Sequence, residues 1–153
     1  MLKDATPDDR DKLIFKWTSS LGVFRTDFGD PLGTTDYLVC LYDGSVLKLS
    51  AMAPADGSCA GQPCWTDNGL GVVKYTDRDL TPDGLQKILL RSGGAGSAKI
   101  SVKGLGANLG LPGPPLATPV KVQIQRSGAS FCWEATFSTP SRNELGLFKA
   151  KSD

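Results

Sequence analysis

Three groups of residues have types and spacings that could do chemistry. Asp77, Asp79 and Asp83, followed by Gly84, form a D-x-D-x-x-x-D-G run that offers oxygen donors to a structural calcium ion. The match is loose, because an EF-hand spacing and its closing bidentate Glu are absent and Pro82 stiffens the segment. Asp27, Asp30 and Asp36 are a second oxygen-rich stretch. Loop aspartates more often cap turns, and that is the competing reading for both.

The second group is aromatic. Trp65 follows a Gly/Pro/Asp loop and precedes the polar turn formers Thr66, Asp67, Asn68 and Gly69. A Trp held on a loop beside Asp67 and Asn68 would offer a sugar a stacking face with hydrogen-bonding neighbours, and Tyr75, Tyr42 and Tyr37 could extend it. Against this stands the commoner fate of a Trp, burial, here as a lid over a disulfide. Trp17 and Trp133 lie on apolar faces of alternating segments and are expected in the core.

The third group is the four cysteines, which allow three pairings. Cys59 and Cys64 enclose Ala-Gly-Gln-Pro and could pair locally; Cys40 and Cys132 both fall in strand-like segments, so a bridge between them is the first expectation. One complication is that alternation burying Trp133 turns Cys132 to the opposite face, which would favour a loop cysteine as its partner. One Cys-x4-Cys with two isolated partners does not fit a zinc ribbon, and no histidine is present to generate a thiolate. Two disulfides are the expectation for an exported chain.

The absence of histidine also removes Ser-His-Asp and Cys-His catalysis. Glycoside hydrolysis by two carboxylates would survive, but Glu134 has no assignable partner in the sequence. The Gly93–Gly96 and Gly104–Gly106 runs do not join a strand to a helix, so they do not form a phosphate cradle. No catalytic residue is assigned.

The elements that must position these groups read as strands. Among the acidic residues are fourteen Asp and only Glu134 and Glu144, and the chain carries 18 Gly and 10 Pro, which favours turns over helices. Residues 1–11 are polar and without periodicity, and read as a mobile N-terminal tail. From Lys12 onward, Leu13, Phe15 and Trp17 alternate with Lys12 and Lys16. Residues 36–43 and 46–52 flank the Asp43-Gly44 hairpin signal; 71–76, 85–90, 99–103, 119–125, 131–137 and 147–151 follow, with a long Gly/Pro crossover over 104–119. Nine or ten short strands imply an all-β fold, an antiparallel β-sandwich resembling a jelly roll, with residues 12–153 as a single domain.

Formal charge is +1, with basic and acidic residues interspersed along the chain, so no nucleic acid partner is expected. No apolar run has the length of a membrane span, so membrane insertion is not expected either. No signal peptide is visible, and Met1 before Leu2-Lys3-Asp4 reads as an initiator on a trimmed chain.

The landmarks Cys40-Leu-Tyr-Asp, Cys64-Trp, Lys74-Tyr-Thr-Asp, Pro82-Asp-Gly, Lys103-Gly-Leu-Gly, Pro119-Val-Lys-Val-Gln, Cys132-Trp-Glu-Ala and Phe148-Lys-Ala-Lys-Ser-Asp resemble a group of uncharacterised secreted bacterial domains, over most of residues 34–153. The resemblance implies export, disulfides and a bacterial source, and it carries no functional residue. The expectation is thus a secreted or cell-surface, non-catalytic module. A polysaccharide or glycan would bind at Trp65, Asp67, Asn68, Tyr75 and Tyr42. The alternatives are a structural or assembly domain contacting copies of itself or other domains of a longer chain, and a glycan-active enzyme using carboxylates. No cofactor is expected apart from the calcium considered for Asp77, Asp79 and Asp83.

Overall fold

A computed structural model describes all residues 1–153. The chain forms fourteen strands: β1 (Leu2–Lys3), β2 (Lys12–Thr18), β3 (Tyr37–Asp43), β4 (Val46–Ala53), β5 (Ser58–Cys59), β6 (Gln62–Pro63), β7 (Trp65–Asp67), β8 (Val72–Thr76), β9 (Leu85–Arg91), β10 (Lys99–Leu105), β11 (Val120–Arg126), β12 (Cys132–Phe137), β13 (Pro140–Glu144) and β14 (Leu147–Ala150). Three short 3-10 turns, at 8–10, 25–28 and 107–109, are the only helical segments. The all-β expectation holds. The strand count exceeds nine or ten because β1, β5, β6 and β7 are two or three residues long, too short to show a period in sequence.

The strands divide into an eight-stranded sheet, ordered β13-β14-β1-β2-β10-β9-β8-β7, and a four-stranded sheet, ordered β12-β11-β3-β4; β5 and β6 form a separate ribbon. Every pairing is antiparallel. Eight strands over four differs from the evenly divided sheets of a jelly roll. Period-2 alternation sends one face of each sheet inward. In the large sheet the inward rows Trp17–Ile100–Leu90–Val73 and Phe15–Val102–Ile88–Tyr75 cross β2, β10, β9 and β8 in register. They meet Val39, Leu41, Val122, Ile124 and Trp133 of the small sheet in one core cluster.

The reading of residues 1–11 as a mobile tail is overturned. Leu2, 1% exposed, sits between Leu13 and Phe148, so β1 joins β14 to β2. Ile14 and Met1 exchange two hydrogen bonds of 2.8 Å. Asp11 is buried, and its carboxylate accepts from the Ala5 backbone N–H at 2.8 Å. A two-residue strand has no periodicity to read, and only its neighbours across the sheet reveal it.

Candidate binding face

The residues proposed as a sugar platform do not meet on the surface. Trp65 is 2% exposed and Tyr75 1%; their rings pack 5.0 Å apart. Trp65 also packs on Tyr37 at 5.3 Å, and Tyr37 stacks on Trp133 at 6.3 Å, so the two tryptophans that follow cysteines lie on either side of one tyrosine. The Trp65 indole N–H donates to the Pro54 carbonyl at 2.7 Å, which satisfies its one polar atom. Burial pushes the Tyr75 hydroxyl up to about 12. Tyr42 lies half-buried on the outer face of the small sheet, since β3 turns Tyr37 inward and its even-numbered residues outward.

Asp67 and Asn68 are occupied locally. The Arg25 guanidinium donates to Asp67 Oδ2 at 2.9 and 2.6 Å and, with the Gly69 N–H, holds that carboxyl below its ordinary pKa. Asn68 Oδ1 accepts from Leu70 and Val72 N–H at 2.8 and 3.0 Å, shaping its own turn.

Asp77, Asp79 and Asp83 are likewise engaged separately. Asp77 is fully buried and accepts from the N–H groups of Asp79 and Thr81, both at 2.8 Å. Asp79 accepts instead from Ala60 at 2.6 Å, and Asp83 from Met52 at 2.8 Å. The three carboxylates thus tie down different backbone segments, and no group of three or more His, Cys, Asp or Glu side chains is placed to hold a metal ion.

Of the two expected disulfides, Cys59–Cys64 forms, with Cα atoms 5.0 Å apart. Cys40 and Cys132 are free. Both face outward from the small sheet, with β11 between their strands and a register offset: Gln123 lies opposite Cys40 and Gln125 opposite Cys132. Two strand spacings, roughly 9.5 Å, already exceed the ~7 Å limit between bridged Cα atoms. Burial raises the pKa of the Cys40 thiol against its hydrogen bonds to Tyr42 and Ser50.

Glu134 accepts from Gln123 Nε2 at 2.6 Å and pairs with Lys121 at 3.3 Å, both of which hold its carboxyl below the ordinary value. Asp153, near it in an open pocket of about 380 Å³, is likewise held down by Ser138. A glycosidase acid needs a shift in the opposite direction.

What the structure does assemble is the outer face of the large sheet. On the four strands β2, β10, β9 and β8, three outward rows cross in register: Thr18–Lys99–Arg91–Val72, Lys16–Ser101–Leu89–Lys74 and Ile14–Lys103–Lys87–Thr76. Each row holds two cations, one hydroxyl and one aliphatic side chain. None holds an acid, an amide or an aromatic. The last two rows line an open groove of about 410 Å³. Lys12 lies at the end of β2 on the same face.

None of these cations is neutralised. The ion pairs of the molecule are Arg10–Asp9, Arg25–Asp67, Lys121–Glu134 and Arg142–Glu144, all elsewhere. Lys103 stands directly opposite Lys87, and Lys99 opposite Arg91, an arrangement that destabilises a sheet. Edge protection does not explain Lys74, Lys87, Arg91, Lys99 and Lys103, because β8, β9 and β10 have a neighbour on each side, whereas Lys16 lies beyond the short pairing of β2 with β1. Lys99 and Lys103 lie on β10, an interior strand between β2 and β9.

Sequence reasoning missed this face because the charges alternate in sign along the chain. The discernible signal was that Asp falls mostly in loops, where Asp11, Asp27, Asp36, Asp77, Asp79 and Asp83 accept backbone N–H bonds, while Lys falls on strands. Comparison with protein-family models, curated proteins and solved structures finds no match.

Proposed function

We propose that this chain is a non-catalytic binding module that holds an anionic polymer, a glycan in an exported setting, on the outer face of its large sheet. The observation that carries this reading is the outward lattice of six unpaired cations with no carboxylate among them. Lysines spread over a sheet attract a chain of repeated negative charges, because each contact adds and none is lost to an internal partner. The Cys59–Cys64 disulfide is in keeping with an oxidising compartment, where glycans are the abundant polymers to bind. The missing histidine and the lowered carboxylates favour binding over catalysis.

The reading transfers carbohydrate recognition from a buried Trp65 to an exposed basic groove. Isothermal titration against acidic and neutral polysaccharides at 50 and 300 mM salt tests it. Binding restricted to acidic polymers and weakened by salt is expected; binding to neutral polymers, or none, overturns it. Sedimentation of the free protein at low salt completes the test. Concentration-dependent association there would favour the assembly reading, with acidic loops of one copy on the basic face of another.

A further inference from the structure

The large-sheet face has more than charge to offer a ligand, and its composition narrows the ligand's chemistry. The inference below rests on the reading of that face as an anionic-polymer site. Single-stranded nucleic acid is held by aromatic platforms for its bases, and the three rows contain none. A duplex presents a rigid cylinder to an open groove of only about 410 Å³, a volume suited to a slender chain. Ser101 and Thr76 supply hydroxyls inside that groove, and Ile14 and Leu89 supply aliphatic surface, both beside cations. A sugar ring carrying a negative group needs all three: a cation for the charge, hydroxyl partners for its own hydroxyls, and apolar contact for its C–H face.

The direction follows from the rows. The groove runs between two rows that cross the strands, so a chain lying in it passes β2, β10, β9 and β8 in turn. Neighbouring strands are ~4.8 Å apart, close to the length of one pyranose residue in an extended chain. Outward residues along a single strand are ~6.7 Å apart, which does not match. We infer that the ligand is a linear acidic polysaccharide, charged on each sugar, that crosses the four strands in the groove between the rows Lys16–Lys74 and Ile14–Thr76.

The experiment is a titration of the full chain with oligogalacturonates of increasing length, their methyl esters, sulfated oligosaccharides of matched length, and oligothymidylates of matched charge. From Lys16 to Lys74 is three strand spacings, roughly 14 Å, so affinity should rise to about four sugars and then level off. Methyl esters should not bind. Ser101→Ala and Leu89→Ala should each weaken the acidic sugars by roughly three- to tenfold and leave the oligothymidylates unchanged. Equal or tighter binding of oligothymidylates, or no effect of either substitution on the sugars, overturns the acidic-sugar assignment while the anionic-polymer reading stands. Failure of every anionic probe removes both. Binding of the sulfated but not the carboxylated oligomers retains the assignment and identifies the charged group as sulfate.

Discussion

The two sheets of this sandwich treat water differently on their outer faces. On the small sheet, Lys121 pairs with Glu134, Gln123 bridges to the same carboxylate, and Cys40 and Tyr42 lie among them, with Lys48 exposed and unpaired on β4. On the large sheet, six cations stand in three rows with no counter-charge, four of them directly opposite like charges in two pairs. A face that only has to stay hydrated resembles the first. The second tolerates repulsion that a single Asp or Glu would relieve, and that unrelieved charge is what a polyanion would use. The proposed recognition lies on the outer face of the large sheet, whereas the aromatic cluster on its inner face packs in the core.

The sharpest test of that division is Trp65→Ala. Removing a buried indole that packs on Tyr37 and Tyr75 should cost about 3–5 kcal/mol in denaturant unfolding. A merely stacking surface Trp would cost far less, and such a result would move recognition back to Trp65. Next in size is the double charge reversal Lys87→Glu with Lys103→Glu. It should weaken binding of an acidic polysaccharide by about a hundredfold, ~2.8 kcal/mol at the tenfold-per-1.4 conversion. The matched reversal Lys48→Glu with Lys121→Glu on the small sheet should change it less than twofold. Equal losses would erase the difference between the faces.

Smaller effects bear on stability. Replacing Cys59 and Cys64 by Ser opens a short loop and should cost roughly 2 kcal/mol by calorimetry, whereas Cys40→Ser with Cys132→Ser removes no cross-link. Lys87→Gln should raise stability by a few tenths of a kcal/mol, because it relieves the repulsion from Lys103. That a binding residue should stabilise the protein when neutralised is specific to an uncompensated face. Another small effect is that of Asp67, whose folded pKa lies below its unfolded one through its bonds to Arg25 and Gly69. Its stabilisation is present above the ordinary carboxylate value and fades as pH falls through the lower folded one. Because the pair is partly exposed, Asp67→Asn should cost under about 1 kcal/mol at pH 7, and the gap from wild type should close on acidification.

Much of the fold was legible: alternation over 12–17, 119–125 and 131–137 set strands and their inward faces, Trp17 and Trp133 included, and the Asp43-Gly44 turn located the strands on either side of it. The local pairing of Cys59 and Cys64 was legible from a spacing of five. The Cys40–Cys132 bridge was misjudged because strand membership says nothing about which strand lies between. β1 was invisible because two residues have no period. Trp65 was ambiguous because a polar turn follows it at once, yet its own side chain points inward from β7.

By itself, the sequence determined an all-β chain in which Asp makes turns and Lys lines strands, since short side chains cap backbone N–H groups and alternation separates the two faces of each strand. Only the tertiary structure decided that β2, β10, β9 and β8 lie side by side. That order brings together lysines up to eighty-seven positions apart, from Lys16 to Lys103, and leaves the aspartates between them out of those rows. A net charge of +1 is a sum along the chain, whereas a ligand meets the sum across a face, and sheet register is what converts one into the other.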